Sequence, residues 1–144
     1  MQVEIRNTTG DVIISGDYLD IKSAVEAHRM HLAYANLQGV NMIDSDLYSA
    51  NLKGAYLSNA NLEKADLRTT ILEKADLSGA SLECAILRVA NLRNANLSNA
   101  NLQCADMGLA DLECTNLTKA NLAGAKLERA NLVGAKMDAN DWSN

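Results

Sequence analysis

The chain has 144 residues, 13 basic and 18 acidic side chains, a net charge of −5, three cysteines and no proline or phenylalanine. That length suits one domain with a short appendage, and the acid excess disfavours a phosphate-binding or direct nucleic-acid surface. No stretch approaches a membrane-spanning helix, and Met1-Gln2-Val3-Glu4 lacks the basic and apolar regions of a signal peptide, so a cytoplasmic location is expected, with the cysteines as free thiols.

Residues 1–31 read as an N-terminal cap. Two β-rich runs, Val3-Glu4-Ile5-Arg6 and Val12-Ile13-Ile14-Ser15, flank Asn7-Thr8-Thr9-Gly10-Asp11, which predicts a β-hairpin over 3–15. Asp20 then caps a predicted helix at about 21–30, where Ile21, Ala24, Val25 and His28 follow the i, i+3, i+4, i+7 spacing. Such an appendage suits a lid over whatever follows; a docking module is the other reading. His28 is expected to pack on the apolar helix face and His31 to sit at the junction.

From Leu32 an apolar residue returns every fifth position, and from Leu37 to Met137 it does so 21 times without a slip of frame. Two residues before each centre stands a small residue, nearly always Ala, with Asn or Asp between, as in Ala60-Asn61-Leu62-Glu63-Lys64. Val40 and Ser45 replace Ala early in the run. In an α-helix, five residues advance about 500°, so the leucines would smear around the surface. In a straight strand an odd period would throw them onto alternate faces. The chain must therefore turn a corner in every repeat, sending Leu and Ala to a common axis and the other three positions to water. Alanine is the filler that a narrow interior accepts beside leucine, and Asn or Asp suits a tight corner through backbone bonding and tolerance of unusual φ. The lack of proline agrees with a backbone whose N–H groups are nearly all engaged between coils.

These tandem Ala-(Asn/Asp)-Leu-x-x units strongly resemble the pentapeptide-repeat proteins over roughly three-quarters of the chain. The resemblance implies an all-β solenoid, a right-handed quadrilateral β-helix of four repeats per coil, over residues 32–144. Residues 20 apart would then stack, in a rod of a little over five coils and on the order of 25 Å long. The chain closes with Asp138-Ala139-Asn140-Asp141-Trp142-Ser143-Asn144. Trp142 falls in frame as the next centre and is expected as a C-terminal lid, and with seven residues after Met137 no C-terminal dimerisation helix is expected.

On that stacking, several outward residues break the polar rule. Ile71 and Ile86 stand where Asn or Asp is usual, Val89 and Leu109 end their repeats, and Ile86, Val89 and Leu109 share one face as a candidate interaction patch. Glu73, Arg93 and Glu113 stack as an alternating ladder; Arg68 and Arg88, and Glu63 and Glu83, stack as like charges. Cys84 and Cys104 share a column, although parallel side chains suit a disulfide torsion poorly, and Cys114 lies on the opposite face.

No cofactor or metal site is expected, for there is no CxxC, no histidine within the solenoid and no Gly-rich phosphate loop, and a filled interior with flat faces offers no catalytic pocket. The expected role is a non-catalytic protein-interaction or regulatory scaffold with a protein partner. The resemblance also implies an alternative, since some family members mimic DNA and bind type II topoisomerases such as gyrase. This chain departs from those in having no Phe centres, no dimerisation helix, no inserted loop, and bases among its acids.

Overall fold

A computed structural model describes residues 1–138. β1 (Gln2–Arg6) and β2 (Val12–Asp17) pair antiparallel, with Ile5 opposite Ile14 and a bulge after Ile5. Side chains alternate across a strand, so Val3, Ile5 and Ile14 are buried together against the solenoid. α1 (Ile21–Ala27) begins at Asp20, whose carboxylate accepts the Ser23 N–H at 2.8 Å, and it buries Ala24 and Val25. The helical segment expected to reach residue 30 changes type after Ala27, and a 3-10 turn covers Arg29–His31. The next coil explains the change: the Arg29 carbonyl leaves the helical ladder to accept the Asn51 N–H at 2.8 Å.

From Leu32 the repeats follow one pattern. Each central carbonyl accepts the N–H of the small residue three positions on, as Leu87 does from Ala90 at 3.0 Å. The residue two after each centre, at every fifth position from 34 to 134, has positive φ, the mark of a type II turn. This corrects one expectation: the unusual φ sits at the fifth position of the repeat, not on the Asn or Asp. That residue instead bonds the backbone, as when Asn91 Oδ1 accepts the Arg93 N–H at 3.1 Å, and it carries the bridge to the next coil.

Bridges join residues 20 apart in parallel, from Asn36–Tyr56 to Asn116–Lys136. Five residues per side and 20 per coil make four sides, and the solenoid is a right-handed quadrilateral β-helix. Centres from Leu32 to Leu117 are buried, filling the interior with leucine and alanine. Each buried leucine contributes about 2 kcal/mol by transfer from water.

A first coil has no coil beneath it, so its downward backbone groups need other partners. The cap supplies them. The Arg6 carbonyl accepts the Asn36 N–H at 2.7 Å, the Glu26 carboxylate the Asp46 N–H at 2.9 Å, and the Arg29 carbonyl the Asn51 N–H. In the other direction, Lys22 Nζ donates to the Ile43 carbonyl at 2.7 Å and Arg29 Nε to that of Tyr48 at 3.1 Å. Hairpin, helix and solenoid share one apolar cluster. At the far end Leu122, Leu127, Leu132 and Met137 are only partly buried. The expected Trp142 lid lies outside the described residues.

Candidate functional site

The four sides can be named by their first centres: the Leu37, Met42, Leu47 and Leu52 faces. The Leu47 face carries Ile86, Val89 and Leu109, with exposures of 38%, 53% and 44%. Val89 and Leu109 are neighbours in one column, where the Val89 N–H donates to the Gly108 carbonyl at 3.1 Å. Ile86 bridges Asp66 below and Asp106 above. Ile71 is also exposed but belongs to the Leu52 face, bridging Asn51 and Asn91.

Two arginines border the patch. Arg68 holds Asp66 with Nε–Oδ1 at 2.8 Å and Nη2–Oδ2 at 2.6 Å, while its guanidinium lies 5.3 Å from the centre of the Tyr48 ring. The Arg68 hydrogen bond lowers the Asp66 carboxyl below the usual carboxylate range. Arg88 reaches the other way, with Nη1 3.4 Å from Asp106. The like charges that stack by sequence thus splay apart, each to a different carboxylate.

Gly108 makes room for that arm. It sits at the fourth position of its repeat, where φ is not positive, and a Cβ there would come within 2.5 Å of Arg88 Nη1. Sequence reasoning missed Tyr48 and Gly108 as parts of this face. The signal for Gly108 was its position, since the other solenoid glycines, 39, 54, 79, 124 and 134, all fall at the left-handed fifth place.

Val89 and Leu109 occupy that same fifth place, with φ of 61° and 60°. A left-handed conformation costs an L-residue about 1–2 kcal/mol, and a β-branched side chain such as valine is among the least suited to it.

The other faces are mainly polar, with Ile71 and Val133 exposed on the Leu52 face and Tyr56 on the Leu37 face. On the Leu52 face Arg93 pairs with Glu113 at 2.7 Å and Asp111 at 3.2 Å, while Glu73 turns to Lys53 at 3.2 Å, so the expected ladder divides into two separate groups. On the Leu37 face, side-chain amides climb from coil to coil, Asn96 to Asp76 at 3.1 Å and Asn116 to Asn96 at 3.2 Å. The acid excess of the described rod gathers on the Met42 face, where Asp44, Glu63 and Glu83 meet one base, Lys64. On the cap, the Tyr18 hydroxyl meets His28 Nε2 and the rings stand edge to face, while His31 is exposed. A hollow of about 380 Å³ lies between cap and first coil, lined by Asp20, Ile21, Lys22, Asn41 and Ile43. Among the described residues, no three His, Cys, Asp or Glu side chains gather as metal ligands.

A family model described as pentapeptide repeats matches in eight copies, over residues 29–63, 50–88, 75–113, 90–129 and 109–138. Among solved structures, a pentapeptide repeat protein of the Arabidopsis thaliana thylakoid lumen aligns at 28% identity and a TM-score of 0.52. That alignment covers 69% of this chain, which spans only 63% of the Arabidopsis protein. The pentapeptide repeat protein Rfr23 of the cyanobacterium Cyanothece 51142 is 38% identical over 73% of this chain and 85% of its own, with a TM-score of 0.37. HetL, a pentapeptide repeat protein involved in heterocyst differentiation regulation from Nostoc sp. strain PCC 7120, is 37% identical over 71% of this chain and 57% of its own, with a TM-score of 0.34. No curated protein matches the chain by sequence.

Proposed function

The chain belongs to the pentapeptide-repeat family, and from that premise we propose that it is a non-catalytic scaffold that binds a protein partner through the Leu47 face, around Ile86, Val89 and Leu109. The observation that carries this reading is Val89, a half-exposed β-branched residue held at φ 61° where glycine or asparagine would sit without strain. Folding does not call for valine there. Leu109, directly above it, is the other aliphatic residue at this position, where the remaining repeats place glycine, cysteine, tyrosine or polar residues. With Ile86 they make an apolar centre between two arginine–carboxylate pairs, the layout of a contact patch with a polar rim.

A rigid rod binds without ordering its own backbone, which favours a recognition role. The non-catalytic part of the proposal draws support from an interior filled by leucine and alanine. A cytoplasmic setting belongs to the same proposal, supported by three exposed free thiols. Among the described residues, no helix is long and apolar enough to cross a membrane. The gyrase-binding alternative has weaker support, because a DNA mimic needs acid along the whole rod and the acid excess of the described rod is confined to one face.

The test is capture from native lysate by the wild-type protein, by I86D/V89D/L109D, and by S58D/S78D/S98D on the opposite Leu37 face. Loss of the same captured proteins with the first variant alone is the expected result. Equal capture by all three folded proteins would overturn the assignment of the face. A gyrase supercoiling assay with and without a quinolone addresses the alternative, which inhibition or drug protection would restore.

A further inference from the structure

We propose that Cys84 and Cys104 form a dithiol site across two adjacent coils of the Met42 face, one that a small-molecule disulfide closes into an intrachain disulfide. The two residues lie 20 apart at the same left-handed position of their repeats, with φ of 55° and 56°, and both are exposed. Their backbones are in ladder register: the Cys84 N–H donates to the Gln103 carbonyl and the Cys104 N–H to that of Ala123, each at 2.9 Å. Parallel neighbours at that register stand about 4.8 Å apart, inside the Cα range of roughly 4.4–6.8 Å that a disulfide spans.

Sequence stacking left the side-chain direction as the objection, since parallel side chains suit the torsion poorly. The structure answers it through the rung above. A Cβ placed on Gly124 would stand 3.3 Å from Cys104 Sγ, so a cysteine at this position leans along the column rather than straight out. In a disulfide, a sulfur lies about 3.0 Å from its partner's Cβ, given an S–S bond of about 2.05 Å. Cys114 leans the same way over Gly134, at 3.1 Å, so the lean belongs to the fold position. A thiol leaning from Cys84 meets Cys104 where Cys104 itself meets a glycine. The proximity also registers in acidity, for burial first and then the Cys104 thiol raise Cys84 above its ordinary value. The neighbouring groups, Lys64 below and Glu83 alongside, leave the sulfurs open to a reagent from solvent.

The step needs an oxidant of the disulfide class, such as oxidised glutathione. One cysteine thiolate attacks a glutathione sulfur, forming a mixed disulfide and releasing one glutathione thiolate. The second cysteine, as thiolate, attacks the protein-bound sulfur, closing Cys84–Cys104 and releasing the second glutathione. Two protein thiols lose their protons and two electrons, and the oxidant becomes two thiols. Cys114 has Asn94 below and Gly134 above in its column, and so no partner sulfur.

The experiment treats the folded C114S protein with excess oxidised glutathione and reads intact mass, free thiols and a peptide map. The expected result is a chain two hydrogens lighter, with no free thiol, no retained glutathione, and one Cys84–Cys104 peptide pair. In C84S/C114S and C104S/C114S, one glutathione stays on each chain. The native protein should yield the same linked pair, which guards against an effect of C114S on folding. Two glutathiones retained on C114S, two thiols left free, or linkage between chains would each overturn the proposal.

Discussion

Three hydroxyl-bearing residues, Ser45, Thr70 and Thr115, occupy the alanine slot of buried repeats, and only one of them has an unpaired hydroxyl. Thr70 Oγ1 donates to the Leu67 carbonyl at 2.5 Å and Thr115 Oγ1 to the Leu92 carbonyl at 2.8 Å. Ser45 is just as buried, at 1%, yet its Oγ has no hydrogen-bond partner among the described residues. An unsatisfied buried hydroxyl costs about 1–3 kcal/mol. Replacing it by hydrogen keeps Cβ, the group that the slot is shaped for, and loses one oxygen's dispersion contacts, about 0.5 kcal/mol. S45A is therefore expected to stabilise the protein by about 1–2 kcal/mol, or about 3–6 °C in Tm for a domain of this size. T115A has the opposite sign, because it loses a bond between coils and a packed methyl, together about 1–3 kcal/mol. Urea unfolding followed by circular dichroism at neutral pH, with unchanged m-values, reads both. An S45A protein no more stable than wild type, or a T115A protein that is also stabilised, would refute the hydroxyl argument.

Leu97 is fully buried at mid-rod, so L97A should cost about 3–4 kcal/mol in denaturant titration, and L97K should abolish the cooperative transition by burying an unpaired charge. E26A removes the carboxylate that accepts the Asp46 N–H beneath the first coil; a loss of about 1–2 kcal/mol is expected, with earlier hydrogen exchange at Asp46 as the specific readout. V89G relieves the left-handed strain and should raise stability by about 1 kcal/mol while weakening partner capture, a pairing that a purely structural valine would not show. Asp66 is held by Arg68 below its ordinary carboxyl value of 3.8. A lowered folded-state pKa contributes stability that is present above the unfolded value and lost as pH falls through the folded one. The stability gap between wild type and D66N should therefore narrow below about pH 4, which acid titration of the melting point checks.

Much of the fold was legible because its unit is short. A five-residue period admits neither helix nor straight strand, so the inward leucines and alanines followed from local geometry, and their burial bears that out. The turn chemistry was half legible. Bonding by Asn and Asp to nearby backbone was expected and is present, but the left-handed residue is the fifth, a point signalled by the glycines at 39, 54, 79, 124 and 134. The candidate patch was read from residues out of pattern; its arginine rim was not, because the Asp66 partner of Arg68 lies in its own repeat whereas Arg88, with Ile86 in that place, finds its carboxylate only in the next coil, at Asp106.

The sequence by itself determined which side chains face inward and that the chain coils, because these depend on contacts within a few residues. Tertiary structure alone decided what depends on closure of the coil. Pairing of residues 20 apart gives the rod its four sides and its columns, and so places Leu109 over Val89 and Cys104 over Cys84. It also decided how the rod begins. Arg6, Glu26 and Arg29 accept hydrogen bonds from the first coil, from three separate cap segments. No local pattern encodes that, because each partner is set by where the folded hairpin and helix come to rest against the unpaired edge.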